Sequence, residues 1–212
     1  RPPALALAFN CIEGLTREAL RSHARLDLER LRSGGLSPVA FERDRSIVPT
    51  EEELPGADGT ALRGRIDRLD AAGEGGPFAV VDYKFRSRAR YEGEKDPATQ
   101  AARGERLQLP LYLLLLRALG REGTAPPRAI EACFANIIPR PGKNPVPRAV
   151  LPGDFWQSDA GAQCRAAVAF FIEGIREGRF YIRPDEGFGG PCPRCPYAGL
   201  CRKNHLMTRI RS

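Results

Sequence analysis

Residues 15–32, LTREALRSHARLDLERLR, set Leu20, Ala24, Leu28 and Leu31 at helical spacing. They predict a helix with that apolar face, capped by Thr16 and stopped by the SGG at 33–35. PVAFERDRSIV, 38–48, alternates in the manner of a strand, and the acidic stretch 49–59 with its Pro and Gly reads as a loop. TALRGRIDRLDA, 60–71, and FAVVDYKF, 78–85, are two strands joined by a turn over 72–77, hence a hairpin. The polar stretch 86–105 keeps no steady period and reads as a loop. LQLPLYLLLLRAL, 107–119, is a buried helix, PRAIEACFANII, 127–138, a further strand, and 139–153 a Pro-rich connection. Asp154 opens a long amphipathic helix to about Gly178, and 179–212 forms a loop and short helix around clustered cysteines. This order predicts an α/β fold with a mixed central sheet flanked by helices. Three parts are expected: an N-terminal helical segment 1–35, a core 36–180, and a C-terminal tail 181–212.

Composition narrows the class. The 212 residues suit one domain, or one with a small appendage, and 42% apolar with 28% charged residues is a globular balance. The net charge is +7, and 29 of the 33 basic residues are Arg, whose planar fork suits phosphate; a polyanionic partner is favoured. No run reaches the 18 apolar residues of a membrane span, the longest being LPLYLLLL at 109–116. ALALAF is too short for a signal peptide. With Arg at position 1, the chain is expected to begin inside a larger protein or to be a processed product or remnant. Of six Cys, Cys133 and Cys164 fall in apolar runs and read as core. Cys192, Cys195 and Cys201 form C-x2-C-x5-C, which is ligand spacing, so a reducing, cytoplasmic setting is expected.

The chemistry concentrates on the hairpin. Asp82 and Lys84 are two apart in a strand, so they point to one face, and the partner strand can bring Asp67 beside them. Two carboxylates suit a hard cation such as Mg²⁺, and an adjacent ammonium can position a nucleophilic water or stabilise charge developing on phosphate. Those parts make a phosphodiester hydrolase site. The alternative is a cross-strand ion pair on a solvated face.

GRIDRLD followed by VVDYKF resembles the two core motifs of the PD-(D/E)xK nucleases, in particular the RecB/AddB-like branch with its CRISPR-associated exonucleases. The resemblance extends over about residues 36–203. It includes the later Q-x3-Y, here Gln108 and Tyr112 on one helical face, the IEGIREGRF turn and the cysteine cluster. It implies a restriction-endonuclease-like core with a Cys-rich, metal-binding tail. It further implies that Asp67 and Asp82 ligate Mg²⁺ or Mn²⁺, with the Tyr83 carbonyl as a further ligand, that Lys84 is catalytic, and that Gln108 and Tyr112 place the DNA strand or the site. The family's upstream ligand corresponds to His23, with Glu42 as the alternative.

The resemblance also implies a [4Fe–4S] cluster held by Cys11, Cys192, Cys195 and Cys201. The spacing C-x2-C-x5-C-x3-H leaves a structural Zn²⁺ with His205 open. If the strand runs on, Arg86, Arg88 and Arg90 share one face and could grip phosphates beside the site, the alternative being a solvated basic loop; Arg63, Arg65 and Arg68 lie on the other hairpin strand. The function expected is a metal-dependent DNA nuclease, exonuclease in preference to endonuclease, within a helicase–nuclease or repair and recombination complex. A free-standing CRISPR-associated exonuclease and a non-catalytic DNA-binding subunit remain the alternatives. The chain has no G-x4-G-K-[ST] motif, so a helicase would be a separate domain or subunit.

Overall fold

A computed structural model describes residues 3–57, 59–73, 76–85, 96–119, 128–137, 148–179, 192, 195 and 196. The chain divides into two compact units, Arg1–Ala169 and Phe170–Ser212.

The first unit is built on a five-stranded sheet in the order β1-β2-β3-β4-β5. Its strands are β1 (Ser37–Ile47), β2 (Leu62–Ala71), β3 (Phe78–Phe85), β4 (Ala129–Ile137) and β5 (Arg148–Pro152). β3 and β4 are parallel and every other pair is antiparallel, so the sheet is mixed. The crossover from β3 to β4 carries α2 (Pro97–Ala102) and α3 (Gln108–Leu115), which tightens into a 3₁₀ turn over Leu116–Leu119. A parallel pair needs such a crossover. β3 lies at the centre, and Ala79, Val80 and Val81 are fully buried, as a strand covered on both faces requires.

The restriction-endonuclease-like α/β architecture expected from the sequence is present. Several local features differ from the hydrophobic pattern. The first helix, α1, runs over Pro3–Gly34, well beyond 15–32. The described end of the polar stretch 86–105 holds α2, opened by Asp96, whose carboxylate accepts the Thr99 N–H, and by Pro97 at its first position. The Pro-rich connection contains β5. The last helix begins as a 3₁₀ turn, Phe155–Gln157, before α4 (Asp159–Arg176). A Cβ at Gly161 would come within 2.2 Å of the Phe155 carbonyl oxygen, so glycine alone permits this close turn-to-helix approach.

The face that α1 buries is only partly the expected apolar one, of which Leu31 is buried. Leu20 and Leu28 are about half exposed, whereas Ala19, His23, Leu26, Asp27, Arg30 and Leu31 are turned inward at helical spacing. The reason lies across the interface, where β2 offers Arg68 and Asp70, 4% and 0% exposed. A buried charge without a partner costs several kcal/mol (about 3–5). That exceeds what two half-exposed leucines forfeit, roughly 1 kcal/mol each by area.

In the second unit, Phe170 and Phe171 meet edge to face at 5.9 Å, and Arg179 pairs with Glu173 and Glu177 at 3.2 and 2.6 Å. Among the described residues no helix is long and apolar enough to cross a membrane.

Candidate active site

β2 and β3 are paired from Ala71–Phe78 to Arg68–Val81, and there the ladder stops. Past that point the Tyr83 N–H donates to Asp67 Oδ2 at 2.9 Å, so a carboxylate takes the place of a strand carbonyl. This contact fixes Asp67 at the mouth of the split between the strands. Asp82 is 1% exposed and Lys84 stands two residues on, so alternation puts both on one face of β3. Lys84 Nζ is ion-paired with Asp82 Oδ2 and lies 5.1 Å over the Phe134 ring.

α3 fits into the same opening. Gln108 Nε2 donates to Asp82 Oδ1 at 2.7 Å and to the Tyr112 hydroxyl at 2.8 Å. The Tyr112 hydroxyl donates in turn to the Arg65 carbonyl at 2.7 Å. Gln108 and Tyr112 therefore brace Asp82 and the β2 backbone together. Gly64 lets the helix come this near, since a Cβ there would meet Leu115 Cδ1 at 2.7 Å. The Trp156 indole N–H donates to the Pro110 carbonyl at 3.1 Å and pins α3 from behind.

The electrostatics of this face are unbalanced. Burial pushes the Asp82 carboxyl above the ordinary carboxylate range, Lys84 opposes that shift, and the neighbouring Asp67 charge raises it further. Burial also raises the Tyr112 phenol, so the hydroxyl stays protonated and able to donate. Two mutually repelling carboxylates supply hard oxygen donors, and a divalent cation would relieve their repulsion. This fits Mg²⁺ or Mn²⁺, which bind through one or two carboxylates with the remaining positions left to water and substrate phosphate.

His23 lies elsewhere. Its ring meets Tyr83 edge-on at 5.7 Å, and Tyr83 points to the opposite face of β3 from Asp82 and Lys84. Burial lowers the His23 pKa, Asp27 acts against this, and Arg68 adds to it. Among the described residues no group of three or more His, Cys, Asp or Glu is gathered to hold a metal, so His23 does not join Asp67 and Asp82 in a three-ligand set. Glu42 is exposed, has φ 49° and pairs with Arg65 at 3.1 Å. Cys11 is exposed on α1; Cys192 and Cys195 are joined by a turn in which the Cys195 N–H donates to the Cys192 carbonyl at 3.3 Å. Cys201, His205, Arg86, Arg88 and Arg90 lie outside the described residues.

The Tyr83 face carries a network that the motifs do not single out. Arg68 donates to both oxygens of Asp27 at 2.5 and 2.9 Å, to Asp70 at 3.0 Å, and to the Tyr83 hydroxyl at 2.6 Å. Arg30 donates twice to Asp70 Oδ2 at 2.9 Å and approaches Glu131 at 3.6 Å. The sequence signal for it is the Asp27/Arg30 pair, three apart on a helix, facing the Arg68/Asp70 pair, two apart on a strand.

Over residues 3–202 the chain matches the PD-(D/E)XK nuclease superfamily. No curated protein matches it.

Proposed function

The chain belongs to the PD-(D/E)XK nuclease superfamily, and on that premise we propose that it is a Mg²⁺- or Mn²⁺-dependent deoxyribonuclease working at Asp67, Asp82 and Lys84. The observation that carries the reading is Lys84 paired to a buried Asp82 beside Asp67, at the point where β2 and β3 part. Asp67 and Asp82 are the carboxylates that would hold the cation. When bound, the cation supplies a water of lowered pKa and neutralises phosphate charge. Gln108 fixes the orientation of the Asp82 carboxylate through Oδ1, and Tyr112 ties that amide to the β2 backbone. The Lys84 ammonium, held over Phe134, is aimed at charge developing on the phosphate, where a fixed cation contributes more than it does in bulk water.

The motif resemblance to the RecB/AddB branch supports an exonuclease within a helicase–nuclease or DNA-repair complex. The test is a cleavage assay on single- and double-stranded DNA with Mg²⁺ and with EDTA. Cleavage in Mg²⁺ that stops in EDTA and is lost in Asp82→Ala supports the reading. DNA binding without metal-dependent cleavage would overturn it in favour of a DNA-binding subunit with a nuclease fold.

A further inference from the structure

Beyond Arg68, β2 has left β3 but stays paired with β1, from Ile66–Arg43 to Leu62–Ile47. This two-stranded extension holds a groove lined by Asp44, Arg45, Ser46, Arg63, Gly64 and Arg65. In the register Arg63 lies opposite Ser46 and Arg65 opposite Asp44, so these four side chains share one side of the ribbon. Arg65 Nε is engaged by Glu42 at 3.1 Å and lies 3.9 Å from Asp44, which holds the guanidinium in place. Arg45 donates to the Asp44 carbonyl at 3.0 Å. Neither Arg45 nor the exposed Arg63 has an acidic partner among the described residues. A free guanidinium, a second one held in place and a serine hydroxyl opposite the first make a surface for a chain of anions.

Its direction matters. Arg63 and Arg65 precede Asp67 on β2 in two-residue steps, each about 7 Å along the strand from the next. The groove therefore lies on the strand that carries Asp67 into the candidate site. We propose that it binds the sugar–phosphate backbone of the DNA strand being cut, holding phosphates adjacent to the scissile one. The identity of the polyanion rests on the nuclease reading; the existence of an anion track rests on the groove. Such interactions fix the register of a strand without reading its sequence.

The experiment is fluorescence anisotropy of a labelled single-stranded oligonucleotide in EDTA, across a salt series, with a parallel Mg²⁺ cleavage assay. R63Q/R65Q should weaken binding roughly 10-fold and flatten the slope of log K against log salt by about 1.4, near 0.7 for each phosphate that no longer meets a guanidinium. It should raise KM more than it lowers kcat. R63K, which keeps the charge, should retain most of the affinity. R17Q removes an exposed arginine on α1, remote in sequence from the groove, and should bind as wild type does. A chain that cleaves DNA while R63Q/R65Q keeps wild-type affinity, salt slope and KM overturns the groove and leaves the nuclease reading standing. A chain that does not cleave, yet loses binding in R63Q/R65Q, overturns the nuclease reading and supports the groove.

Discussion

The two faces of the β2–β3 hairpin carry almost the same residue types and treat them differently. On one face Arg68, Asp70 and Tyr83 meet Asp27 and Arg30 from α1, and each charge has an opposite charge within hydrogen-bond reach. On the other, Asp67 and Asp82 lie together with Lys84 as the cation paired to Asp82, whose carboxyl is pushed toward its neutral form. Both faces come from alternate residues of the same two strands. The first uses charge to bind a helix to a sheet. The second leaves charge incompletely satisfied, the usual mark of a site that acts on something outside the protein.

Mutations on the two faces should therefore separate activity from stability. The largest effect is expected at the unbalanced face. Asp82→Ala and Lys84→Ala should each lower cleavage by at least about 10²–10³-fold while DNA binding persists, since the groove proposed at Arg63 and Arg65 is untouched by either change. Robust Mg²⁺-dependent cleavage by Asp82→Ala would end the contrast.

Arg68→Met probes the other face. It leaves Asp27 and Asp70 without their main partner, and urea unfolding should show a loss of about 3–5 kcal/mol. A stable variant would mean that α1 is held by its few apolar neighbours after all.

Tyr112→Phe sits between the two. It strands the Arg65 carbonyl and loosens Gln108, so unfolding should cost about 1–2 kcal/mol, with a fall in kcat larger than the change in affinity. Unchanged kcat would make Tyr112 a packing residue only.

The smallest effect is in pH dependence. Burial works against the Asp27 charge, but the hydrogen bonds and charge of Arg68, with Arg30 and His23, outweigh it and hold the folded pKa below its ordinary value. A depressed carboxylate adds stability that is fully present above the unfolded pKa, near ~4, and is lost as pH falls through the lower folded value. Asp27→Asn should lower stability at neutral pH and flatten the acid limb of the stability profile below about pH 4. A parallel acid limb in the variant would show that Asp27 does not titrate in this way.

The hairpin is legible from alternation alone. Strands 60–71 and 78–85 and the helix at 107–119 fall within a few residues of their observed ends, because period and turn residues are local properties. Asp82 and Lys84, two apart in one strand, have to share a face whatever the rest of the chain does. Gln108 and Tyr112, four apart, have to share a helical face, and both pairings stand in the structure. The role of α1 is not legible. Leu20, Ala24, Leu28 and Leu31 suggest an apolar seam that would exclude Asp27 and Arg30. The seam takes in Asp27 and Arg30 beside Leu31, because Arg68 and Asp70, some forty residues later, are buried opposite it. β5 is hidden by prolines, since its pairing with β4 is a long-range interaction that no local period announces. The candidate chemistry at Asp67, Asp82 and Lys84 can be read from residue type and spacing. That His23 turns to Tyr83, and that Tyr112 reaches the Arg65 carbonyl, is decided only in the tertiary structure, where distant segments have to satisfy one another's buried polar groups.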